Sequence, residues 1–427
     1  MRKLFILLFF SLIFVSCKNN VVSNIPEYIP DIQWSMKINR GILGAMICEV
    51  SDDNLYFYES KIIDGCSLYR LVCVDLNLRS YKWQSEFYSK LCEDKILLTD
   101  NYVFIDTEAS LECYDKESGK LYCSLVFGNN PEEINKNRPY NCTTINYKEK
   151  YLLWSTWNDN KINDEGIVRI NISNIDFKSM NKETLVVNPE LVWIGIDIDD
   201  QDEHVYTWPI IKDGVIYFQT YRSWNNYKSK FVAVDIESGS VKWIYESEEM
   251  LGKGCNALFV QNDRLYSMEY EIGCYDLSTG KPIWEHHQTE DDLRKEICLG
   301  GLIYNYAGIF FYDNCIYYTT NEGSSTAATF GCDESLCTNI KCINATTGKH
   351  IWSYMPKDCG SLSTRPIVVD NKVFVLTMFD GLWVFNRKSG KVLGCDLNVM
   401  SGGMDNNAVW NGQVIYFDNN ILTVIKP

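Results

Sequence analysis

The sequence is poor in the residue sets that most enzymatic chemistry requires. Four histidines occur in 427 residues: His204, His286, His287 and His350. His350 lies two residues before Trp352 and His286-His287 close a similar apolar phrase, so all three read as edge or solvated strand-end positions. No Gly-x-Ser-x-Gly is present, which removes the local signature of a serine-hydrolase nucleophile elbow. Gly-rich phosphate cradles are also missing. Seventeen cysteines never form a Cys-x-x-Cys, which argues against a zinc ribbon or a thioredoxin-type redox site. Asp197, Asp199, Asp200, Asp202 and Glu203 crowd one segment but lack the Gly and closing Glu of an EF-hand loop, so they read as a solvated loop. Basic residues are in deficit, 40 against 56 acidic, which makes nucleic acid and anionic lipid poor partners for the body of the chain. Long helical periodicity is absent beyond the N-terminus.

Aromatic and apolar residues are plentiful. Tyr (27), Phe (19) and Trp (12) bring the aromatic share to 14% within a 46% hydrophobic chain, a balance that favours β structure around a large core. A ten-residue phrase, hydrophobe-Asp/Asn-x-x-Ser/Thr-Gly-Lys/Ser-x-x-Trp, recurs at Val234–Trp243, Tyr275–Trp284 and Ile343–Trp352. Eroded copies run Tyr114–Cys123, Phe385–Gly394 and Val74–Trp83. Spacing of roughly 40–50 residues marks a modular array. In each phrase a strand ends at the Asp or Asn, whose side chain can bond the turn backbone. Gly supplies a positive φ, and the next strand carries a Trp to bury. The structural turn glycines are Gly119, Gly239, Gly280, Gly348 and Gly390.

Around each phrase the pattern predicts four antiparallel strands, the blade of a β-propeller. In the best unit these are Trp208–Ile211, Val215–Tyr221, Phe231–Ile236 and Val241–Tyr245. Outer strands fall near Trp34, Trp83, Tyr122, Trp193, Trp243, Trp284, Trp352 and Leu393, which makes eight blades. The C-terminus offers three strands from Asn407 to Pro427, and Asp31–Ile38 offers one orphan that completes the ring. Seven blades result instead if residues 122–207 form one irregular blade plus an excursion.

The N-terminus reads as an address. Met1-Arg2-Lys3 is basic, Leu4–Val15 is apolar and too short for a comfortable span, and Phe14-Val15-Ser16-Cys17 follows. This resembles a bacterial lipoprotein signal, although Phe14 departs from the usual Leu. Residues 1–16 would be removed, Cys17 lipidated, and residues 17–30 left as a tether between membrane and propeller (31–427). The remaining chain has 38 basic and 56 acidic residues, a formal charge of −18. Export makes disulfides plausible among the other sixteen cysteines, with Cys113 and Cys123 opposite each other across a predicted hairpin and Cys332 and Cys337 in one loop. Cys73, Cys274 and Cys342 sit inside apolar strands as small buried residues would.

The repeated phrase resembles the PQQ-like propeller repeat over nearly the whole mature chain, from about Trp34 to Pro427. That family includes quinoprotein alcohol dehydrogenases and the propeller lipoprotein of the outer-membrane β-barrel assembly machine. The resemblance implies the fold; the repeated residues are structural, and function has to be argued from a site. The quinoprotein enzymes resembled here commonly use a disulfide between adjacent cysteines beside quinone and calcium, and this chain has no Cys-Cys pair. The expectation is therefore a non-enzymatic, protein-binding lipoprotein of the bacterial envelope, anchored at the outer membrane, with no cofactor, no catalytic residues, no metal and no small-molecule ligand. Barrel-assembly components are the partners the resemblance implies. A receptor for a glycan or protein is the alternative reading, and a quinone-dependent dehydrogenase the other.

Blades differ in the loop between second and third strands, which all emerge on one face. Ser60–Cys66, Thr156–Gly166, Arg222–Lys230 and Asn321–Asn339 are long. Two of them carry aromatics: Trp154 and Trp157 in one, and Tyr221, Trp224 and Tyr227 in the other, where Arg222 is a further candidate contact. Rigid amphipathic rings among polar residues suit partner recognition.

Overall fold

The computed structural model describes residues 25–38, 48–127, 145–156, 166–194, 203–222, 229–246, 257–286, 310–322, 337–354, 365–399 and 407–427, except 65, 89–90, 108–109, 148–149, 189, 206–208, 269–271, 378–380 and 419. They form eight sheets of four or five strands. In chain order blade 1 spans 49–84, blade 2 91–127, blade 3 145–194, blade 4 203–246, blade 5 257–286, blade 6 310–354, blade 7 367–396 and blade 8 407–426. The orphan strand Asp31–Lys37 pairs antiparallel with Ile421–Lys426 and completes blade 8, so the chain ends close the ring. The eight-bladed count holds, and all eight predicted outer-strand positions lie on outer strands.

Strand periodicity explains where the core sits. Successive side chains point to opposite faces of a blade, and each face meets a neighbour. In blade 1, Leu55 and Phe57 pack towards Ile415 and Phe417 of blade 8, while Tyr56 and Tyr58 pack towards Val103 and Ile105 of blade 2. The same alternation produces eight buried clusters, one at every seam. Each fully buried Leu, Val or Phe contributes about 1.5–3 kcal/mol. Central strands are therefore apolar on both faces, and the polar residues collect in turns and on outer strands.

Three regions depart from the repeat. The Ser60–Cys66 excursion is a hairpin: Asn54–Ile63 and Cys66–Asp75 stay in register out to Ile63 opposite Cys66. Between the third and fourth strands of blade 3, the chain makes a 3-10 turn at Phe177–Ser179. It then lays Glu183–Val187 parallel to the outer strand of blade 2 as a fifth strand. Residues 25–28, assigned from sequence to the tether, run against blade 7: Cys395 N–H donates to Pro26 O at 3.0 Å and Tyr28 N–H to Cys395 O at 2.8 Å.

Candidate functional site

One face of the ring is built from the repeated phrase, and its chemistry is structural. Asp235 Oδ1 accepts the Glu237 and Ser238 N–H groups at 3.1 and 3.0 Å, and Asp276 Oδ1 those of Ser278 and Thr279 at 3.1 and 2.9 Å. Asn344 and Asn386 serve identically, because an amide oxygen accepts as a carboxylate does. The glycine that follows has φ between 67° and 71° at all five predicted positions, Gly119, Gly239, Gly280, Gly348 and Gly390. Three of these glycines lie directly against the tryptophan of the preceding blade. A Cβ would sit 2.4 Å from Trp83 at Gly119, 2.4 Å from Trp243 at Gly280 and 2.6 Å from Trp352 at Gly390.

Each indole also reaches across the seam. Trp83, Trp243, Trp284 and Trp352 donate their Nε1–H to Lys116, Leu277, Ala345 and Arg387 O at 3.0, 3.1, 3.1 and 2.8 Å. Every acceptor is the residue just after the Asp or Asn of the next blade's turn. Blade 3 lacks this indole bond among the described contacts. There the Arg169 guanidinium supplies it, donating to Ile236 O, the equivalent carbonyl of blade 4. Sequence reasoning missed Arg169, since nothing in its local context announces the substitution.

The opposite face carries the second-to-third-strand loops. Trp154 lies within the strand Tyr151–Thr156, opposite Val168, and Tyr221 and Arg222 within Val215–Arg222. Tyr221 pairs with Ser229 and His204, and Arg222 with Glu203. All three are therefore strand residues: Trp154 precedes its loop, Tyr221 lies in the strand predicted to end there, and pairing runs one residue further, to Arg222. Trp157, Trp224 and Tyr227 lie outside the described residues, as does Cys17.

The best-defined feature on this face is the blade 1 hairpin. Its base is held by Glu59, whose fully buried carboxylate accepts Arg70 Nε–H at 2.9 Å, Arg70 Nη2–H at 2.5 Å and the Tyr81 hydroxyl at 2.5 Å. Burial, followed by the hydrogen bond to Glu59, pushes the Tyr81 phenol above its ordinary pKa. The Phe87 ring takes Arg70 at 4.8 Å and Lys61 at 3.6 Å. Tyr69 and Tyr88 exchange backbone hydrogen bonds of 2.8 and 2.6 Å. Above this base, Ile62 and Ile63 are 59% and 44% exposed. Adjacent strand residues point to opposite sides, so exposure of both means that the tip stands clear of the blade on both faces.

Among the described residues no three His, Cys, Asp or Glu side chains converge as metal donors. The chain has no pair of adjacent cysteines, the disulfide that the quinoprotein resemblance implies. Of the acidic cluster, Glu203 begins a strand and Asp197 to Asp202 lie outside the described residues. Cys73, Cys113, Cys123, Cys274 and Cys342 are buried free thiols, and Cys66 is exposed. Burial pushes the Cys73 thiol up to about 12, so it is not a thiolate at neutral pH.

The architecture defines an eight-bladed propeller of PQQ-like repeats. A family model described as "Outer membrane protein assembly factor BamB" matches residues 197–331, less than half of the chain. No curated protein matches it in sequence. Among solved structures, BamB from Moraxella catarrhalis superposes with a TM-score of 0.56 at 11% identity, covering 94% of this chain and 98% of that one. A europium-containing methanol dehydrogenase gives 0.61 at 14% identity, covering 92% and 86%. Quinohemoprotein alcohol dehydrogenase from Comamonas testosteroni gives 0.62 at 12%, covering 94% and 78%. Identities this low establish the fold alone, and BamB and dehydrogenases share it.

Proposed function

We propose that this chain is a non-enzymatic, protein-binding scaffold of the bacterial envelope, tethered through Cys17 and serving outer-membrane protein assembly. The observation that carries the reading is the blade 1 hairpin. An ion pair with a fully buried carboxylate and a cation–π contact hold its base in one geometry, while the β-branched residues at its tip, Ile62 and Ile63, are largely exposed. Pre-organising an apolar element lowers the ordering cost of association. The ring fixes the hairpin and the neighbouring loops on one rigid face, which suits recognition without requiring chemistry. Trp154, Trp157, Tyr221, Arg222, Trp224 and Tyr227 extend this face in the proposal. The family description and the BamB superposition support the assembly setting. The dehydrogenase reading is disfavoured by the lack of adjacent cysteines in the sequence.

Affinity capture from detergent-solubilised membranes, with identification of the bound proteins, tests the reading. Barrel-assembly components should co-purify reproducibly. Their consistent absence, or capture of a glycan in their place, overturns it. A quinone absorbance after incubation with quinone and calcium would overturn the non-enzymatic part.

A further inference from the structure

We propose that Cys113 and Cys123 form a cross-strand disulfide site in blade 2, closed by a disulfide oxidant as the chain folds. The two residues face each other directly in the antiparallel pairing of Leu111–Asp115 with Leu121–Phe127. Opposed residues in such a pairing have Cα atoms about 4.5–5.5 Å apart, inside the roughly 4.4–6.8 Å that a disulfide spans. Both thiols are free, and both residues are 0% exposed.

Comparison across blades separates this pair from ordinary buried cysteines. At the same place in the repeat, Cys73 faces Trp83, Ala233 faces Trp243, Cys274 faces Trp284 and Cys342 faces Trp352. A small residue there makes room for the indole. Blade 2 keeps the small residue and replaces the indole with a second cysteine, which sets thiol against thiol. With the indole goes the seam bond it makes elsewhere. The outer strand that lost it is also the one carrying the added strand, and Glu183 of that strand pairs with Cys123 itself. A covalent tie between 113 and 123 anchors this loaded strand to the blade.

The chemistry balances with a small-molecule or protein disulfide as oxidant. Cys113 thiolate attacks one oxidant sulfur and releases one thiolate. Cys123 thiolate then attacks the Cys113 sulfur of the mixed disulfide and releases the second. The two cysteine protons pass to the two leaving thiolates, so one disulfide is consumed and one formed. Burial, followed by the neighbouring Cys123, pushes the Cys113 thiol far above its ordinary pKa in the folded chain. The exchange therefore belongs to a stage before Phe177 and the added strand cover blade 2.

The site does not depend on the binding function proposed above. To test it, the full chain is exported to a bacterial periplasm, trapped in acid, alkylated with iodoacetamide in denaturant without reductant, and digested with trypsin. A co-exported protein of known disulfide verifies that the compartment oxidised its cargo. Lys116 and Lys120 lie between the two cysteines, so the bond appears as two peptides joined through sulfur and separated by reductant. The linked pair should dominate, and Cys123→Ser should leave Cys113 alkylated. Carbamidomethyl on both residues, or either one bonded elsewhere, overturns the proposal.

Discussion

Asp235 shows how one side chain of the phrase sets a turn. It accepts the Ser238 N–H and lies 3.0 Å from Lys242 Nζ, and these partners hold its carboxyl down at about 2. A folded pKa below the unfolded one contributes stability that is present above the unfolded value, near 4, and lost as pH falls through the folded value. Asp235→Asn should fold normally, since Asn344 and Asn386 make the same turn, but should lose less of its melting temperature between about pH 6 and about pH 3. Thermal melts across that range check this; an acid sensitivity equal to the parent's contradicts it. Arg79 occupies the glycine position in blade 1 with φ 56°. A non-glycine residue there costs about 1–2 kcal/mol, so Arg79→Gly should raise stability in urea unfolding. Gly280→Ala should do the reverse, by about 2–4 kcal/mol, because the methyl adds steric overlap with Trp243 to the strain of positive φ.

At the scale of elements, what was legible in the sequence was local. The Asp/Asn-to-Gly turn, the tryptophan after it and the orphan strand Asp31–Lys37 all carry short-range signals, and the structure places each as expected. The outer strand of blade 3 was placed near Trp193, but the excursion before it was not legible, because long-range contacts hold it in place of a Gly hairpin. Phe177 packs against Tyr102 at 5.0 Å and Phe104 at 5.9 Å, across the seam where blade 2 lacks its indole. Arg169 reaches Ile236 O from a strand that has no Gly phrase. Neither residue differs in local context from a surface residue of a diverged loop. Phe177→Ala should cost about 3–5 kcal/mol, the range for deleting a fully buried aromatic. Hydrogen exchange should show the loss concentrated in 183–187 and the outer strand of blade 2. Uniform destabilisation around the ring would count against a local strap. The candidate loops were read from their length and their aromatic residues. That reading ended the strand at Tyr221, one residue short of Arg222, and missed that Ser60–Cys66 is itself paired.

Across the whole molecule the two faces are built differently, and in the proposed scaffold they have different roles. On one, turns, glycines and indoles lock each blade to the next, and substitutions there act on stability. On the other, the hairpin of blade 1 stands on a fixed base with its apolar tip exposed, and substitutions at the tip should act on binding. Ile62→Asp with Ile63→Asp removes an apolar surface of which 59% and 44% is already in water, so the melting temperature should hold. Lys388→Glu, at an exposed turn of the opposite face, serves as the matched control. The deciding measurement is quantitative capture of barrel-assembly components from solubilised membranes by the parent, the hairpin double variant and the turn variant, each of verified thermal stability. The binding-scaffold account predicts at least a tenfold loss for the hairpin variant, about 1.4 kcal/mol, with the turn variant equal to the parent. Equal capture by all three, or loss confined to the turn variant, contradicts it.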